Sequence, residues 1–211
     1  MSKLEEHQQF KFKPYMLALA LYGVLFLWFV YWFEVNFGYN FTKYGVYPRT
    51  LKGLRGIFFS PFIHSGIKHL FNNSVPLFVL LMALFYFYRM IAFKILLYGA
   101  FLTGLLTWII ARPAYHIGAS GIVYLLFSFV LFSGIIRRYH RLIAVSLIVI
   151  FLYGSMIWYI LPIKAGISWE GHLSGFLVGL VFAFVFKKHG PKKEVYQWAE
   201  EEELELDEEE E

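Results

Sequence analysis

Six long apolar stretches account for most of this 211-residue sequence. Each runs for about 17 to 23 residues with almost no Asp, Glu, Lys or Arg, the length that an α-helix needs to cross roughly 30 Å of hydrocarbon. The composition agrees, because 59% of the residues are hydrophobic and only 16% are charged, unlike an ordinary soluble domain. The predicted spans are residues 15–37, 70–88, 93–110, 118–136, 142–161 and 170–186. The sequence therefore predicts an all-α, polytopic membrane protein with six transmembrane helices.

These spans predict three parts in the chain: a segment 1–14, a six-helix membrane domain 15–187, and a tail 188–211. The first span follows Lys11 and Lys13 as a signal peptide would, but it is too long and lacks a small-residue cleavage site after it, so we expect it to be retained. The basic residues 187–193 are expected at anionic headgroups. The acidic run 200–211 predicts a disordered, solvated end.

The basic residues fall unevenly on the two sides of the predicted bundle. Twelve of the nineteen Lys and Arg residues lie on the side that holds both termini and the second and fourth connections. By the positive-inside rule this pattern predicts a multi-pass integral membrane protein with both termini cytoplasmic. In a bacterium the membrane would be the plasma (inner) membrane.

The first connection, residues 38–68, is the exception to this charge pattern. It carries five of the seven basic residues on the opposite side and mixes them with seven Tyr and Phe residues. Such an amphipathic segment is expected to lie in the membrane interface, where Lys, Arg and aromatic side chains reach toward headgroups. Pro48 and Pro61 should divide it into short pieces.

Polar residues begin the three spans that run inward from the outer face. Span two opens with His69 and Asn73, span four with Ser120 and span six with His172, so these residues share one depth. His69 and Asn73 are four residues apart and face the same way, whereas Asn72 points elsewhere. Because polar groups at membrane depth are costly without partners or water, their coincidence at one level predicts a functional site.

A repeat of small residues in span six predicts how two of these groups meet. Gly171, Gly175 and Gly179 form a face that another helix can approach closely. If that helix is span four, Ser120 comes within hydrogen-bond reach of His172. A serine beside a histidine supports nucleophilic acyl transfer, since the imidazole takes the hydroxyl proton and returns it to the leaving amine.

Donors for an oxyanion are available near the same serine. Backbone N–H groups at the start of a helix have no intrahelical acceptor, which applies to Ser120. The Asn73 amide and the His69 ring could add side-chain donors to the developing charge. Gly118 and Gly121 would let a substrate backbone come close.

Several other chemistries are excluded by residues that the sequence lacks. There is no cysteine, the only Asp is Asp207, and no HExxH motif occurs, which argues against thiol, aspartyl and zinc proteases. Glu170 lies two residues from His172, on a different side of a helix, and is poorly placed to orient its ring. The prediction is therefore a Ser-His dyad with no metal, no cofactor and no nucleic-acid partner.

Each of these features also has a structural interpretation. Taken alone, the glycines around Ser120 favour packing, His172 could be an interfacial histidine, and His69 with Asn73 could cap a helix. His7, His116, His140 and His189 lie in tails or connections and receive no role. The coincidence of residue type, depth and order favours the site.

Three motifs in this order resemble the rhomboid family of intramembrane serine proteases. They are HSGIKHLFNN with His69 and Asn73, GASG with Ser120, and GHLSGFLVG with His172, and the resemblance covers residues 38–186. It implies six helices and a water-accessible cavity open to the outer side. It also implies cleavage of other membrane proteins within or beside a transmembrane helix, with those proteins and the lipid bilayer as partners.

The resemblance further implies roles for individual residues. Ser120 would be the nucleophile and His172 the base, with His69, Asn73 and the Ser120 amide as oxyanion donors. Tyr124 would stack on the catalytic histidine.

Outside these motifs, the resemblance gives His64 a structural role. The family often has a Trp-Arg pair in its first connection, where this sequence has Leu54 before Arg55, so the conformation of that connection is open. Access would require movement of an outer loop or of span five near Trp158 and Tyr159.

Two other functions compete with proteolysis. A catalytically inactive rhomboid-like protein would bind membrane clients without cutting them, and intact Ser120 and His172 count against it. A channel or transporter would usually need charges inside its spans or broken helices in paired halves, and neither is visible in the sequence.

Overall fold

The computed structural model describes residues 11–152, 157–163 and 166–191. Six long helices organise them, and we number these helices in chain order: α1 Pro14–Asn36, α2 Ile67–Phe87, α3 Ala92–Ile110, α4 Ser120–Arg137, α5 His140–Leu152 and α6 Trp169–Val185. The described residues contain no named β-strand. The prediction of an all-α, polytopic membrane bundle is confirmed.

The helices match the predicted spans closely except in the fifth. Helices α1 to α4 are long and apolar enough to cross a membrane, whereas α5 and α6 are shorter apolar helices of 13 and 17 residues. Residues Ile157–Ile160 form a 3₁₀-helix, so the prediction of an α-helix extending to residue 161 was wrong there. Most of the predicted N-terminal segment and acidic tail, residues 1–10 and 192–211, lies outside the described residues.

Helix α4 lies at the centre of the bundle, against α2, α3, α5 and α6. Its closest approach is to α6, through the glycines that the sequence predicted as a helix-packing face. A Cβ placed on Gly175 would lie 2.1 Å from the Gly121 carbonyl oxygen, and one on Gly179 would lie 2.2 Å from the Leu125 carbonyl oxygen. Such backbone contact is how helices gain packing energy in lipid, where the hydrophobic effect contributes little between them.

The first connection consists of short pieces, as its prolines predicted. It contains the 3₁₀-helices Thr42–Tyr44 and Ser60–Phe62 and two four-residue α-helices, Leu51–Leu54 and Gly56–Phe59. The conformation left open at Arg55 is now defined, because its guanidinium donates to the Lys43 carbonyl at 3.0 Å.

Hydrogen bonds to backbone carbonyl groups hold this connection against the end of α3. The Arg49 guanidinium donates to the carbonyls of Ile109 and Ala111, at 3.0 and 2.9 Å. Val46 and His116 form an isolated antiparallel bridge. The connection is thereby fixed to the segment that leads into α4.

Candidate active site

Ser120 is the first residue of α4, and its hydroxyl faces α6. The Ser120 Oγ lies 2.9 Å from Nε2 of His172, although 52 residues separate them in sequence. The close approach of α4 and α6 at Gly121 and Gly175 makes this distance possible. The structure thus brings together the serine and histidine that the sequence placed at one depth.

The His172 ring is oriented by a backbone carbonyl. Nδ1 of His172 lies 2.8 Å from the carbonyl oxygen of Tyr159, and a carbonyl can only accept, so Nδ1 carries the proton. Nε2 therefore presents its lone pair to the Ser120 hydroxyl. This is the tautomer that a general base needs. The sequence does not predict Tyr159 as the ring's partner, because a carbonyl leaves no side-chain signal.

The ring of Tyr124 lies flat against His172. Their ring centroids are 4.3 Å apart and the ring planes are inclined by 17°. Stacked rings of this kind contribute about 0.5–1.5 kcal/mol beyond their burial. Tyr124 thus lies where the resemblance expected it, with its ring restricting the movement of the imidazole.

His69 and Asn73 converge on Gly118, two residues before Ser120. A Cβ on Gly118 would lie 2.6 Å from His69 Nε2 and 3.4 Å from Asn73 Nδ2, and Gly118 has a φ of +109°, which favours glycine. The Ser65 N–H points at His69 Nδ1, at 3.5 Å, so Nε2 carries the ring proton. The Asn73 side chain is buried, and its Nδ2 has no acceptor among the described residues, whereas Asn72 is exposed. Two N–H donors therefore face the space beside Ser120.

His64 supports the segment that precedes Ser120. Its Nε2 accepts from the Ala119 N–H at 3.4 Å, and its ring packs edge-on against His69 with centroids 5.0 Å apart. Burial, with a smaller effect from the neighbouring His69, lowers the pKa of His64 to about 4. A neutral, buried histidine agrees with the structural role expected for it.

An ion pair with a buried carboxylate and an exposed guanidinium lies near the dyad. The guanidinium of Arg112 donates to both carboxylate oxygens of Glu170 at 3.0 Å, and to the Ile167 carbonyl at 2.6 Å. Glu170 is 1% exposed. Because its carboxylate is held by Arg112, Glu170 does not bond the His172 ring, as the sequence analysis expected.

His116, to which the sequence analysis gave no role, belongs to the same network. Its Nε2 faces the Arg112 carbonyl at 3.0 Å, so Nδ1 is left to accept from the Ser168 hydroxyl at 2.6 Å. Burial lowers the pKa of His116, which agrees with a neutral ring. The only sequence signal for this network was Glu170, a lone carboxylate at the start of span six.

A small cavity lies on the α3 side of Ser120. It has a volume of about 40 Å³, and its polar lining includes Ser120, Thr103, Thr107, His116 and Ser168. A water molecule needs roughly 10–15 Å³ of such space and two to four polar partners. The cavity can therefore hold water close to the serine hydroxyl.

The described residues offer no ready metal site. No group of three His, Cys, Asp or Glu side chains lies close enough together to hold an ion in residues 11–152, 157–163 and 166–191. The two carboxylates of this part, Glu34 and Glu170, lie far apart in the sequence.

Comparison with known proteins identifies the family. The family model described as the Rhomboid domain matches residues 52–189. The chain belongs to the rhomboid family. This rhomboid protein is 36% identical over 152 residues to uncharacterized proteins of Mycobacterium tuberculosis and Mycobacterium bovis, and 34% identical over 146 residues to one of Mycobacterium leprae.

These alignments are partial on both sides. They cover 67% of this chain and 62% of the M. tuberculosis and M. bovis proteins, and 63% of this chain and 56% of the M. leprae protein. The chain thus spans less than two thirds of the length of these relatives. Their names state no activity, so any activity of the rhomboid protein has to be argued from its own site.

Proposed function

We propose that this rhomboid protein is an intramembrane serine endopeptidase that cleaves transmembrane proteins within or beside their membrane segment. The observation that carries the proposal is the 2.9 Å contact between Ser120 Oγ and His172 Nε2, with Nδ1 held by the Tyr159 carbonyl. The ring is thereby fixed in the tautomer that accepts the hydroxyl proton. Serine, base and orienting group are the parts that nucleophilic acyl transfer requires.

The first half of the reaction forms an acyl-enzyme. Ser120 Oγ attacks the carbonyl carbon of the scissile peptide while its proton moves to His172 Nε2. The carbonyl oxygen becomes an oxyanion and accepts hydrogen bonds from His69 Nε2, Asn73 Nδ2 and the Ser120 amide, which stabilise the developing charge. The C–N bond then breaks, and His172 gives its proton to the leaving amine.

The second half consumes one water molecule. Water attacks the ester carbonyl carbon and loses a proton to His172 Nε2. The bond to Ser120 Oγ then breaks, His172 returns the proton to the serine oxygen, and a carboxylic acid leaves. The cavity of about 40 Å³ beside Ser120 has the size and polar lining to supply this water.

Labelling with a fluorophosphonate probe tests the nucleophile. We expect the protein in detergent to be labelled, and Ser120→Ala to lose the label. Ser60→Ala is the matched control, because Ser60 lines the same cavity and forms no bond with His172. Equal labelling of Ser120→Ala, or no labelling of the native protein, would contradict the proposal and favour a rhomboid-like protein that binds membrane clients without cutting them.

Cleavage of a reporter transmembrane substrate in reconstituted vesicles tests the base. We expect native protein to cut the reporter and His172→Ala to lose at least about 10³-fold in rate, as other serine enzymes do without their base. If the fluorophosphonate probe labels the native protein but the protein cuts none of a panel of reporters, the result would argue for an activity on other substrates.

We further propose that both termini are cytoplasmic. The support is the excess of Lys and Arg on the side of both termini. Because the chain has no cysteine, single cysteines can be introduced without background. A membrane-impermeant maleimide added to intact cells should label Tyr115→Cys and leave Lys187→Cys unlabelled, and the reverse pattern would overturn the orientation.

A further inference from the structure

The first connection forms a pocket that the proposed protease chemistry does not use. It has a volume of about 390 Å³ and is lined by three exposed basic side chains, Lys43, Lys52 and Arg55. Leu51 and Tyr115 also line it. It lies on the same side of the bundle as Ser120, because Tyr115 belongs to the segment that leads into α4.

No carboxylate of the described chain neutralises these three cations. The only acidic side chains in residues 11–152, 157–163 and 166–191 are Glu34 and Glu170. Glu170 is held by Arg112, and Glu34 accepts from the Phe41 N–H at 2.6 Å. Three positive charges around one volume repel each other, and a bound anion would offset that repulsion.

Two of the three cationic groups are held in place by their surroundings. The Arg55 guanidinium donates to the Lys43 carbonyl and lies 4.5 Å from the centre of the Tyr44 ring. The Lys43 ammonium lies 5.6 Å from the centre of the same ring. Cation–π contacts and hydrogen bonds of this kind reduce the entropy lost when an anion binds. A guanidinium and two ammonium groups together supply the positive charge and the N–H donors that a phosphate binds.

The apolar part of the lining indicates the source of the phosphate. Leu51 is 87% exposed and Tyr115 is 46% exposed, so an apolar side chain and a ring lie open beside the charges. A soluble phosphate would gain nothing from them, whereas an acyl chain would cover them. Basic and aromatic side chains together are also typical of a segment at the membrane interface.

We propose that this pocket binds the phosphate headgroup of an anionic phospholipid from the leaflet on the Ser120 side of the bundle. Lys43, Lys52 and Arg55 contact the phosphate, and the acyl chains lie along Leu51. This gives a reason for three of the five basic residues in a connection where the charge pattern of the rest of the chain predicts few. The site does not depend on proteolysis, so its test and that of the dyad can fail separately.

Native mass spectrometry of the full chain in detergent can measure lipid binding. The probes are phosphatidylglycerol and phosphatidylcholine with the same acyl chains. The test variant is Lys43→Gln with Lys52→Gln, which keeps Arg55 because that side chain supports the Lys43 backbone. The matched control is Lys94→Gln with Lys188→Gln, which removes the same charge from exposed positions outside the pocket.

We expect phosphatidylglycerol to bind more tightly than phosphatidylcholine. Its binding to the test variant should be about 30-fold weaker than to the control, since each of the two basic residues removed contributes about 1 kcal/mol near a lipid surface. If the double variant does not fold, Lys52→Gln alone should weaken binding about five-fold on the same basis. Equal binding of the two lipids, or equal weakening in test and control variants, overturns the proposal. Displacement of the lipid by an equal concentration of soluble glycerophosphoglycerol overturns its assignment to a lipid.

Discussion

Arg112 and Glu170 form an ion pair that joins the connection before α4 to the first turn of α6. Arg112 lies eight residues before Ser120, and Glu170 lies two residues before His172. The pair therefore links the two chain segments from which the serine and the histidine project. Its carboxylate is buried, while 41% of the Arg112 side chain is exposed.

Removing Arg112 should destabilise the protein and slow the proposed reaction. Arg112→Ala leaves the Glu170 carboxylate buried without its partner. A fully buried pair costs about 3–5 kcal/mol to break, and the exposure of Arg112 reduces the expected loss to about 2 kcal/mol. Thermal unfolding in detergent measures the stability. Because the pair joins the segments that carry Ser120 and His172, we expect kcat to fall more than KM changes.

Arg112→Lys separates charge from geometry in this pair. A lysine keeps the charge, but its single ammonium cannot bond both the Glu170 carboxylate and the Ile167 carbonyl as the two terminal guanidinium nitrogens do, so we expect it to restore most of the stability and only part of kcat. Lys68→Ala, which removes an exposed cation, is the control for charge. The variants to compare are Arg112→Ala, Arg112→Lys and Lys68→Ala. If the loss of kcat in each is no larger than its loss of stability explains, the pair has no positioning role.

Asn73→Ala should reduce activity without reducing stability. The Asn73 amide nitrogen is buried and has no acceptor among the described residues, so its removal breaks no hydrogen bond there. A buried donor without a partner costs about 1–3 kcal/mol, which offsets the lost packing of the side chain. If Asn73 donates to the oxyanion, kcat should fall about 10²- to 10³-fold.

Asn72→Ala provides the control for this prediction. Asn72 is the exposed neighbour of Asn73 on the same helix, and its loss should leave kcat unchanged. An Asn73→Ala protein with native kcat would exclude the amide as an oxyanion donor. A protein that loses stability and activity together would assign Asn73 a structural role instead.

Gly175→Ala should separate α4 from α6. The new Cβ would lie 2.1 Å from the Gly121 carbonyl oxygen, and because that atom is backbone, a side-chain movement cannot relieve the clash. We expect a loss of about 3 kcal/mol and little residual activity, measured by unfolding in detergent and by reporter cleavage.

Gly23→Ala is the matched control, because it introduces the same methyl group into the interior of α1. There the Cβ would lie 3.5 Å from a Leu81 methyl group, an ordinary contact, and alanine is the better helix former. Stability should therefore stay the same or rise. Equal losses in the two variants would mean that the contact between α4 and α6 has no special importance.

The sequence predicted the fold and the residues of the candidate site because both rest on side-chain type and spacing. Six apolar stretches of membrane-spanning length leave few alternatives to a helical bundle. Glycines four residues apart predicted the contact between α6 and α4, and depth placed Ser120 level with His172.

What the sequence did not predict depends on the backbone and on long-range contacts. The partner of His172 Nδ1 is the Tyr159 carbonyl, a group that every residue has. The pairing of Arg112 with Glu170 crosses 58 residues, and no local pattern relates the two. His116 gave no signal because one of its partners is the backbone carbonyl of Arg112, and the other, Ser168, becomes a neighbour only after the helices have packed.

Acidification should destabilise the protein through His64. Burial holds the pKa of His64 at about 4, below its usual value of 6.5, so the folded state favours the neutral ring. The stability contributed by the neutral ring is fully present above pH 6.5, and it is lost as the pH falls from 6.5 toward 4. Between pH 7.5 and pH 5 this loss amounts to about 2 kcal/mol, which thermal unfolding in detergent can measure.

His64→Gln removes the titrating group at this position, so its unfolding temperature should depend less on pH over the same interval. Some dependence remains, because burial lowers the pKa of His116 and its protonation acts in the same direction. His140→Gln, which makes the same substitution at an exposed histidine, is the control. If His64→Gln has the same pH profile as His140→Gln, the protonation of His64 does not limit stability, and the ring accepts a proton without opening the segment ahead of Ser120.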